Sequence, residues 1–243
     1  MKLNNNQPIT DKNFSSNFNS MNKKLNEKNK KFVLVIDEID NVYEKETSNE
    51  MINFLKIITS LNKNNDNVVL IVSGLSPELN ENYIYPTYQI FNVIWLKGLD
   101  RFETDELITT IGLKLNLTYS ENAINLIYEK TNGFPYLIRR ICSLIYNKYK
   151  YINDTIKVSE TNDALIQFLR SEQDSRYLLE IKDSAIKANE KIFFNLLLVY
   201  KSIKYTDKID IPLNKIMKLE KLGLIEFSNE TITLKLLLLS DSK

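Results

Sequence analysis

The chain has 243 residues, of which 43% are hydrophobic and 26% are charged, as expected for a globular protein with one large core or two smaller ones. Its formal net charge is only +1, so no overall field would draw it to nucleic acid or to an anionic membrane. The sequence contains no His and a single Cys, Cys142, which excludes Ser-His-Asp and Cys-His catalysis, His-ligated zinc and internal disulfides. Any bound metal would be an oxygen-ligated ion such as Mg²⁺.

The amino-terminal residues are polar. They contain no apolar segment of the kind that a signal peptide needs, and no run of about 18 apolar residues occurs in the chain. We therefore expect a cytoplasmic protein that is neither secreted nor membrane-spanning. Residues 1–14 are rich in Asn, which predicts loose order, and a weak helix is predicted over about 15–30.

Three short apolar runs predict a parallel sheet in the first hundred residues. The first is Phe32–Ile36, the second is Val68–Val72 and the third is "NVIWLKGL", at 92–99. Between the first two runs, 47–63 opens with a capping box and carries an apolar stripe at helical spacing, so it predicts a helix. Runs that are apolar on both faces indicate strands covered by helices.

After residue 100 the apolar spacing becomes helical. The final segment, "LIEFSNETITLKLLLL", alternates on either side of Ser228 to Glu230 and predicts a hairpin. A helix that runs into such a hairpin is the outline of a winged helix. A stretch containing Thr and Asn at 151–162 predicts a linker. The predicted helices lie at about 103–116, 120–131, 134–149, 163–170, 175–187, 190–202 and 212–222.

The first predicted strand runs directly into Asp37 and Glu38. Carboxylates make physical sense there because open α/β sheets bind ligands at the carboxyl ends of their strands. In nucleotide-hydrolysing proteins of this design, the Asp holds the Mg²⁺ shell and the next Glu orients or deprotonates the attacking water. The alternative is a strand that simply ends in solvated acids.

Four segments together resemble one family. "FVLVIDEID" resembles the Walker B strand of P-loop NTPases of the AAA+ and STAND kind, and "VVLIVSGL" looks like the next strand, which ends in a polar sensor residue, here Ser73. "IWLKGLDRFETDEL" is similar to the strand and loop that lead into the helical lid of these proteins. "TNGFPYLIRRIC" resembles the Gly-x-Pro element of many archaeal and bacterial STAND-type ATPases.

The resemblance implies an α/β fold. We expect an incomplete parallel P-loop NTPase-like sheet flanked by helices, followed by an α-helical lid and a winged-helix domain. The expected segments are a low-complexity, weakly helical N-terminal segment (1–30), a partial P-loop NTPase core with the Walker B and sensor strands (31–100), a helical lid (101–150), and a helical linker with a winged-helix domain (151–243).

The resemblance also implies roles for single residues. Asp37 would bind Mg²⁺ and, with Ser73 and Arg139, contact ATP, while Glu38 would be the catalytic residue. Ser73 could instead bond to its own loop. Arg139 and Arg140 cannot both face one site because they are adjacent on a helix. The alternative interpretation is that they belong to a solvated basic face of that helix.

A Walker A motif is absent from the sequence. None of the five glycines is followed by Lys-Ser or Lys-Thr, so no G-x-x-x-x-G-K-[ST] loop can cradle phosphates. In the family, the strand before that loop lies between the sensor strand and the strand that would here be "VIWL", and 1–30 offers no replacement. We expect the C-terminal part of an ATPase, or a degenerate relative, completed by a protein partner or a missing N-terminal segment. ATP and Mg²⁺ would bind only if the Walker A segment is supplied.

Three functions follow from these observations. The first is a STAND/AAA+-like ATP-binding switch module, not catalytically competent alone, that couples nucleotide state to a winged-helix arm. The second is a winged-helix regulator that contacts DNA phosphates through Lys215 and Lys218, which recur with Lys221 at spacings of three. The alternative for these lysines is a solvated face. The third is a pseudo-ATPase scaffold that docks a partner at its open sheet edge.

Overall fold

The computed structural model describes residues 11–37, 67–74, 92, 94, 96–151, 154–185, 191–205 and 211–241. The chain divides into two compact units, Met1–Ile94 and Trp95–Lys243. Glu38 and the helix predicted at 47–63 lie outside the described residues. In the described part of the chain, no helix is long and apolar enough to cross a membrane.

The first unit contains a small parallel sheet. Helix α1 (Asp11–Glu27) precedes strand β1 (Phe32–Ile36), which pairs in parallel with strand β2 (Val68–Val72). Phe18 of α1 is buried, and its ring meets the Phe32 ring edge-to-face, with 6.5 Å between centroids. This contact places α1 against the face of β1 that carries Phe32. Because α1 begins at Asp11, the prediction of loose order is wrong for 11–14, where the helix anchored by Phe18 extends toward the amino end.

The third predicted strand is not formed where it is described. Asn92, Ile94 and Leu96 lie outside any strand, and Ile94 and Leu96 are 80% and 89% exposed. An extended segment needs a hydrogen-bonding neighbour to become a strand. The apolar run has the composition of a buried strand, but composition alone does not supply a neighbouring strand to pair with.

The second unit begins with five helices that share one core. They are α2 (Arg101–Lys114), α3 (Glu121–Thr131), α4 (Pro135–Tyr149), α5 (Val158–Arg170) and α6 (Glu172–Ala185). Helix α4 contributes most heavily to this core, because Leu137, Ile138, Ile141, Cys142 and Ile145 recur at helical spacing and are almost completely buried. The helices predicted in this region are confirmed, with ends that shift by a few residues.

The predicted linker at 151–162 is wrong in its second half. Ile156 is 1% exposed and forms an isolated parallel bridge with Tyr119. Helix α5 then begins at Val158, where the Glu160 carboxylate accepts a hydrogen bond from the Lys157 backbone N–H at 2.9 Å. Some of the polar residues that suggested a linker therefore cap and form the first turn of α5.

The second unit ends in a helix–strand–helix–hairpin arrangement. The elements are α7 (Lys191–Tyr200), β3 (Ser202–Lys204), α8 (Leu213–Lys221), β4 (Ile225–Ser228), β5 (Thr231–Leu234) and the short helix α9 (Leu238–Asp241). The three strands form an antiparallel sheet in the order β3-β5-β4. The predicted hairpin is confirmed, and both of its turn residues, Asn229 and Glu230, have positive φ.

Candidate functional site

The carboxyl ends of β1 and β2 bring two predicted site residues together. The strands pair in register from Phe32 with Val68 to Ile36 with Val72, so Asp37 and Ser73 follow directly at the same edge. The Ser73 backbone N–H donates to the Ile36 carbonyl at 2.9 Å, which extends the ladder by one bond. The Ser73 hydroxyl donates a hydrogen bond to Oδ1 of Asp37. Ser73 therefore bonds across the sheet to Asp37, as a polar residue of a strand-end site would.

The face of the β1–β2 sheet that ends at Asp37 and Ser73 is apolar and exposed. Successive side chains of a strand point to opposite faces, so Asp37 shares its face with every second residue of β1. The register places the matching residues of β2 beside them. The four apolar residues on this face are Val33, Val35, Val69 and Ile71, which are 38–59% exposed. This face is therefore apolar along its length and polar at its carboxyl end.

The oxygen atoms at this edge suit magnesium. A carboxylate and a hydroxyl are hard ligands, and Mg²⁺ commonly uses one or two carboxylates together with substrate phosphates and water. Among the described residues, no group of three or more metal-binding side chains gathers.

In the second unit, the Gly-x-Pro element forms the turn between α3 and α4. Gly133 has φ of 72°, and its carbonyl accepts a hydrogen bond from the Leu99 N–H at 2.8 Å. A Cβ at this position would lie 1.8 Å from the Leu99 carbonyl oxygen, so only glycine fits. Pro135 occupies the first turn of α4, where its missing N–H has no helical partner to lose.

Two adjacent arginines on α4 have different surroundings. Arg140 donates to both carboxylate oxygens of Asp174 on α6, at 2.6 Å and 2.9 Å. This hydrogen bonding raises the pKa of the Arg140 guanidinium above its ordinary value, and the Asp174 side chain is only 2% exposed. Arg139 is exposed, and its side chain forms no hydrogen bond or ion pair with another described residue. Arg140 therefore joins two helices, whereas Arg139 lies on the surface of α4.

The basic residues predicted to contact DNA lie on α8. Lys215 is half-buried, whereas the side chain of Lys218 lies outside the described residues. On the same helix, the Glu220 carboxylate accepts a hydrogen bond from the Phe227 N–H at 3.0 Å. Glu220 therefore attaches α8 to β4.

Two contacts could not be predicted from the sequence. One is the pair formed by Arg140 and Asp174, whose partners are 34 residues apart. The other joins the Asn132 side chain to the carbonyl of Gly223, which is 91 residues away. The Asn-Gly dipeptide at 132–133 does signal a turn, and such a turn exposes an amide side chain that can bond elsewhere.

Comparison with solved structures shows the fold. The chain is similar to a Walker-type ATPase of Pyrococcus abyssi, with a TM-score of 0.64 and 14% identity over 100% of this chain and 72% of that one. It is more distantly similar to the RuvB Holliday junction branch migration motor of Thermotoga maritima, with a TM-score of 0.47 and 13% identity over 90% of this chain and 71% of that one. No curated protein sequence matches the chain.

Family comparison covers almost the whole sequence. The model of the AAA-like domain matches residues 9–241. The helix-rich α/β architecture with a small parallel sheet agrees with this match. The chain belongs to the AAA-like domain family and has the fold of P-loop NTPases of the AAA+ kind.

Proposed function

We propose that this chain is a nucleotide-dependent switch module of the STAND/AAA+ kind whose ATP–Mg²⁺ site is completed by a phosphate-binding loop from another polypeptide segment. The observation that carries the proposal is the hydrogen bond between Ser73 and Asp37 at the carboxyl ends of two parallel strands. Ligands of open α/β sheets bind at this edge. The sequence itself contains no Walker A loop to hold the phosphates.

Each site residue has a distinct role in this proposal. Asp37 holds the metal, and Ser73 fixes the orientation of its carboxylate through the hydrogen bond at Oδ1. Glu38, the next residue in the sequence, orients the attacking water. Arg139 is the proposed ATP ligand on α4, since Arg140 is already held by Asp174. Bound ATP–Mg²⁺ supplies the phosphate chain and the metal charge.

We propose that the same partner segment completes the sheet. Within the described residues, β1 and β2 pair only with each other, and four apolar side chains of one face are exposed. A parallel sheet is ordinarily covered on both faces, and an unpaired strand edge can accept another strand. A segment that adds a strand and carries the phosphate loop would fill both needs.

Dye binding and size-exclusion chromatography test this incomplete sheet. We expect the purified chain to bind a hydrophobic dye, and the double variant Val33→Thr, Val35→Thr to bind less, because Thr keeps the shape of Val but adds a hydroxyl. Val199→Thr is the matched control, since Val199 is 72% exposed in the second unit. A monodisperse monomer that binds no dye would contradict the proposed missing strand.

We also propose that α7, β3, α8, β4 and β5, called the arm below, form a winged helix that responds to nucleotide state. The order of helix, strand, helix and hairpin supports this assignment. Its hairpin turn carries Glu230, whose charge would repel DNA phosphates, and Glu220 is bonded to Phe227. DNA binding that weakens steeply with salt and with Lys215→Ala plus Lys218→Ala would favour the regulator instead.

A further inference from the structure

We propose that Asn132 couples the turn at 131–134 to the arm, so that the arm follows movements of that turn. The inference rests on the proposed switch function, because it assigns a residue to the relay between the nucleotide site and the arm. The contacts on each side of the turn lie within the second unit.

On one side, the turn is fixed to the backbone at 98–99. The Leu99 N–H donates to the Gly133 carbonyl at 2.8 Å. A Cβ on Gly98 would lie 2.2 Å from the Asn132 carbonyl oxygen, so the two backbones are in direct contact. Any displacement of 98–99 must therefore move the turn. These residues lie only a few positions after the boundary between the two units at Ile94 and Trp95.

On the other side, the turn is fixed to the junction between α8 and β4. Nδ2 of Asn132 donates to the Gly223 carbonyl at 2.8 Å. The Phe134 ring approaches the same glycine, since a Cβ on Gly223 would lie 3.6 Å from that ring. Gly223 ends α8 with φ of 70°, and β4 begins two residues later. A bond at this junction therefore acts on both a helix and a strand of the arm.

The geometry of Asn132 suits a relay. Its φ of 46° and ψ of 39° are left-handed, and its backbone N–H donates to the Tyr128 carbonyl at 2.7 Å. The backbone thus ends α3 while the side chain reaches the arm. Near the same end of α3, Nζ of Lys130 forms an ion pair with Oδ2 of Asp241 in α9, at 2.5 Å. Two residues at the carboxyl end of α3 therefore form separate bonds, Asn132 to the arm and Lys130 to α9.

A double-mutant cycle on the full chain, without nucleotide, tests the coupling. Gly98→Ala displaces the turn by placing a methyl group against the Asn132 carbonyl. Asn132→Gly keeps a residue that tolerates the left-handed backbone but removes the amide donor. The readout is amide hydrogen exchange in α8 and β4, and Asn116→Gly is the matched control, because Asn116 is also left-handed and is exposed.

We expect Gly98→Ala to change exchange in α8 and β4 by at least about twofold, the lower end for coupled residues. The same change should be lost in the Asn132→Gly background and kept in the Asn116→Gly background. An equal effect of Gly98→Ala in all three backgrounds, or none in any, would overturn the proposal. If Gly98→Ala does not fold, Thr131→Val perturbs the turn instead by removing the 2.7 Å bond to the Ile127 carbonyl.

The cycle separates this inference from the proposed function. Coupling found without nucleotide supports the role of Asn132 even if the chain proves to have no part in ATP binding. Additive effects overturn the role of Asn132 even if ATP binding is established, since the arm would then respond through other contacts.

Discussion

Removing the Arg140 guanidinium should destabilise the second unit strongly. Asp174 is 1% exposed, and both of its carboxylate oxygens accept hydrogen bonds from Arg140. In Arg140→Met the carboxylate would stay buried without its cation, and breaking a buried pair in this way costs about 3–5 kcal/mol. The Arg140 side chain is 33% exposed, so water can partly replace it. We therefore expect a loss of about 2–3 kcal/mol in the free energy of unfolding.

The neighbouring arginine provides the control. Arg139→Met removes the same charge one residue earlier, from an exposed side chain that no other described residue binds. Its effect should stay within about 0.5 kcal/mol. Urea unfolding followed by circular dichroism measures both variants at constant pH and salt, and similar m-values would show that the states compared are the same.

The double variant Arg140→Met, Asp174→Leu sharpens the comparison. Replacing both charged partners by apolar groups removes the buried charge, so it should recover part of the stability that Arg140→Met loses. Equal losses for Arg139→Met and Arg140→Met would refute the distinction between the two arginines. A double variant less stable than Arg140→Met would show that the buried carboxylate is not the source of the cost.

Three further predictions concern local stability. Glu230→Gly should raise the free energy of unfolding by about 0.5–1 kcal/mol, because Glu230 has φ of 58° in a turn that favours glycine, and a lower melting temperature would contradict this. Thr104→Val should raise the free energy of unfolding by about 1 kcal/mol, because the buried Thr104 hydroxyl has no hydrogen-bond partner among the described residues, and calorimetry showing a loss would mean that the hydroxyl is satisfied. Burial raises the pKa of the Cys142 thiol to about 11 from 9.0, because the buried site disfavours the thiolate. The stabilisation that the buried neutral thiol provides is therefore complete below pH 9 and is lost as pH rises toward 11. The difference in unfolding free energy between the wild type and Cys142→Ala should shrink over that interval by about 2–3 kcal/mol, and a constant difference would exclude this effect.

Local periodicity predicts much of this fold. The buried positions of α4 recur at helical spacing, and the alternation around Ser228 and Glu230 predicts the hairpin, because both patterns arise from burial of one face. The proximity of Asp37 and Ser73 also follows from the sequence, since neighbouring parallel strands end at the same edge.

Other features depend on distant parts of the chain. The sequence at Arg140 carries no sign of Asp174, and Asn132 carries none of Gly223, because each pair meets only after several helices have packed. The run that contains Ile94 and Leu96 failed as a strand for a related reason. Composition can make a segment suitable for a sheet, but a strand also needs a neighbouring backbone.

ATP hydrolysis tests most directly whether this chain needs another segment to complete its ATP–Mg²⁺ site. The purified chain is incubated with ATP and Mg²⁺, and released phosphate is measured beside the variant Glu38→Gln. Because the sequence has no loop to hold the phosphates, we expect no turnover above that of the variant. Substantial turnover by the chain alone that disappears in Glu38→Gln would contradict the account, since the site would then be complete without another segment.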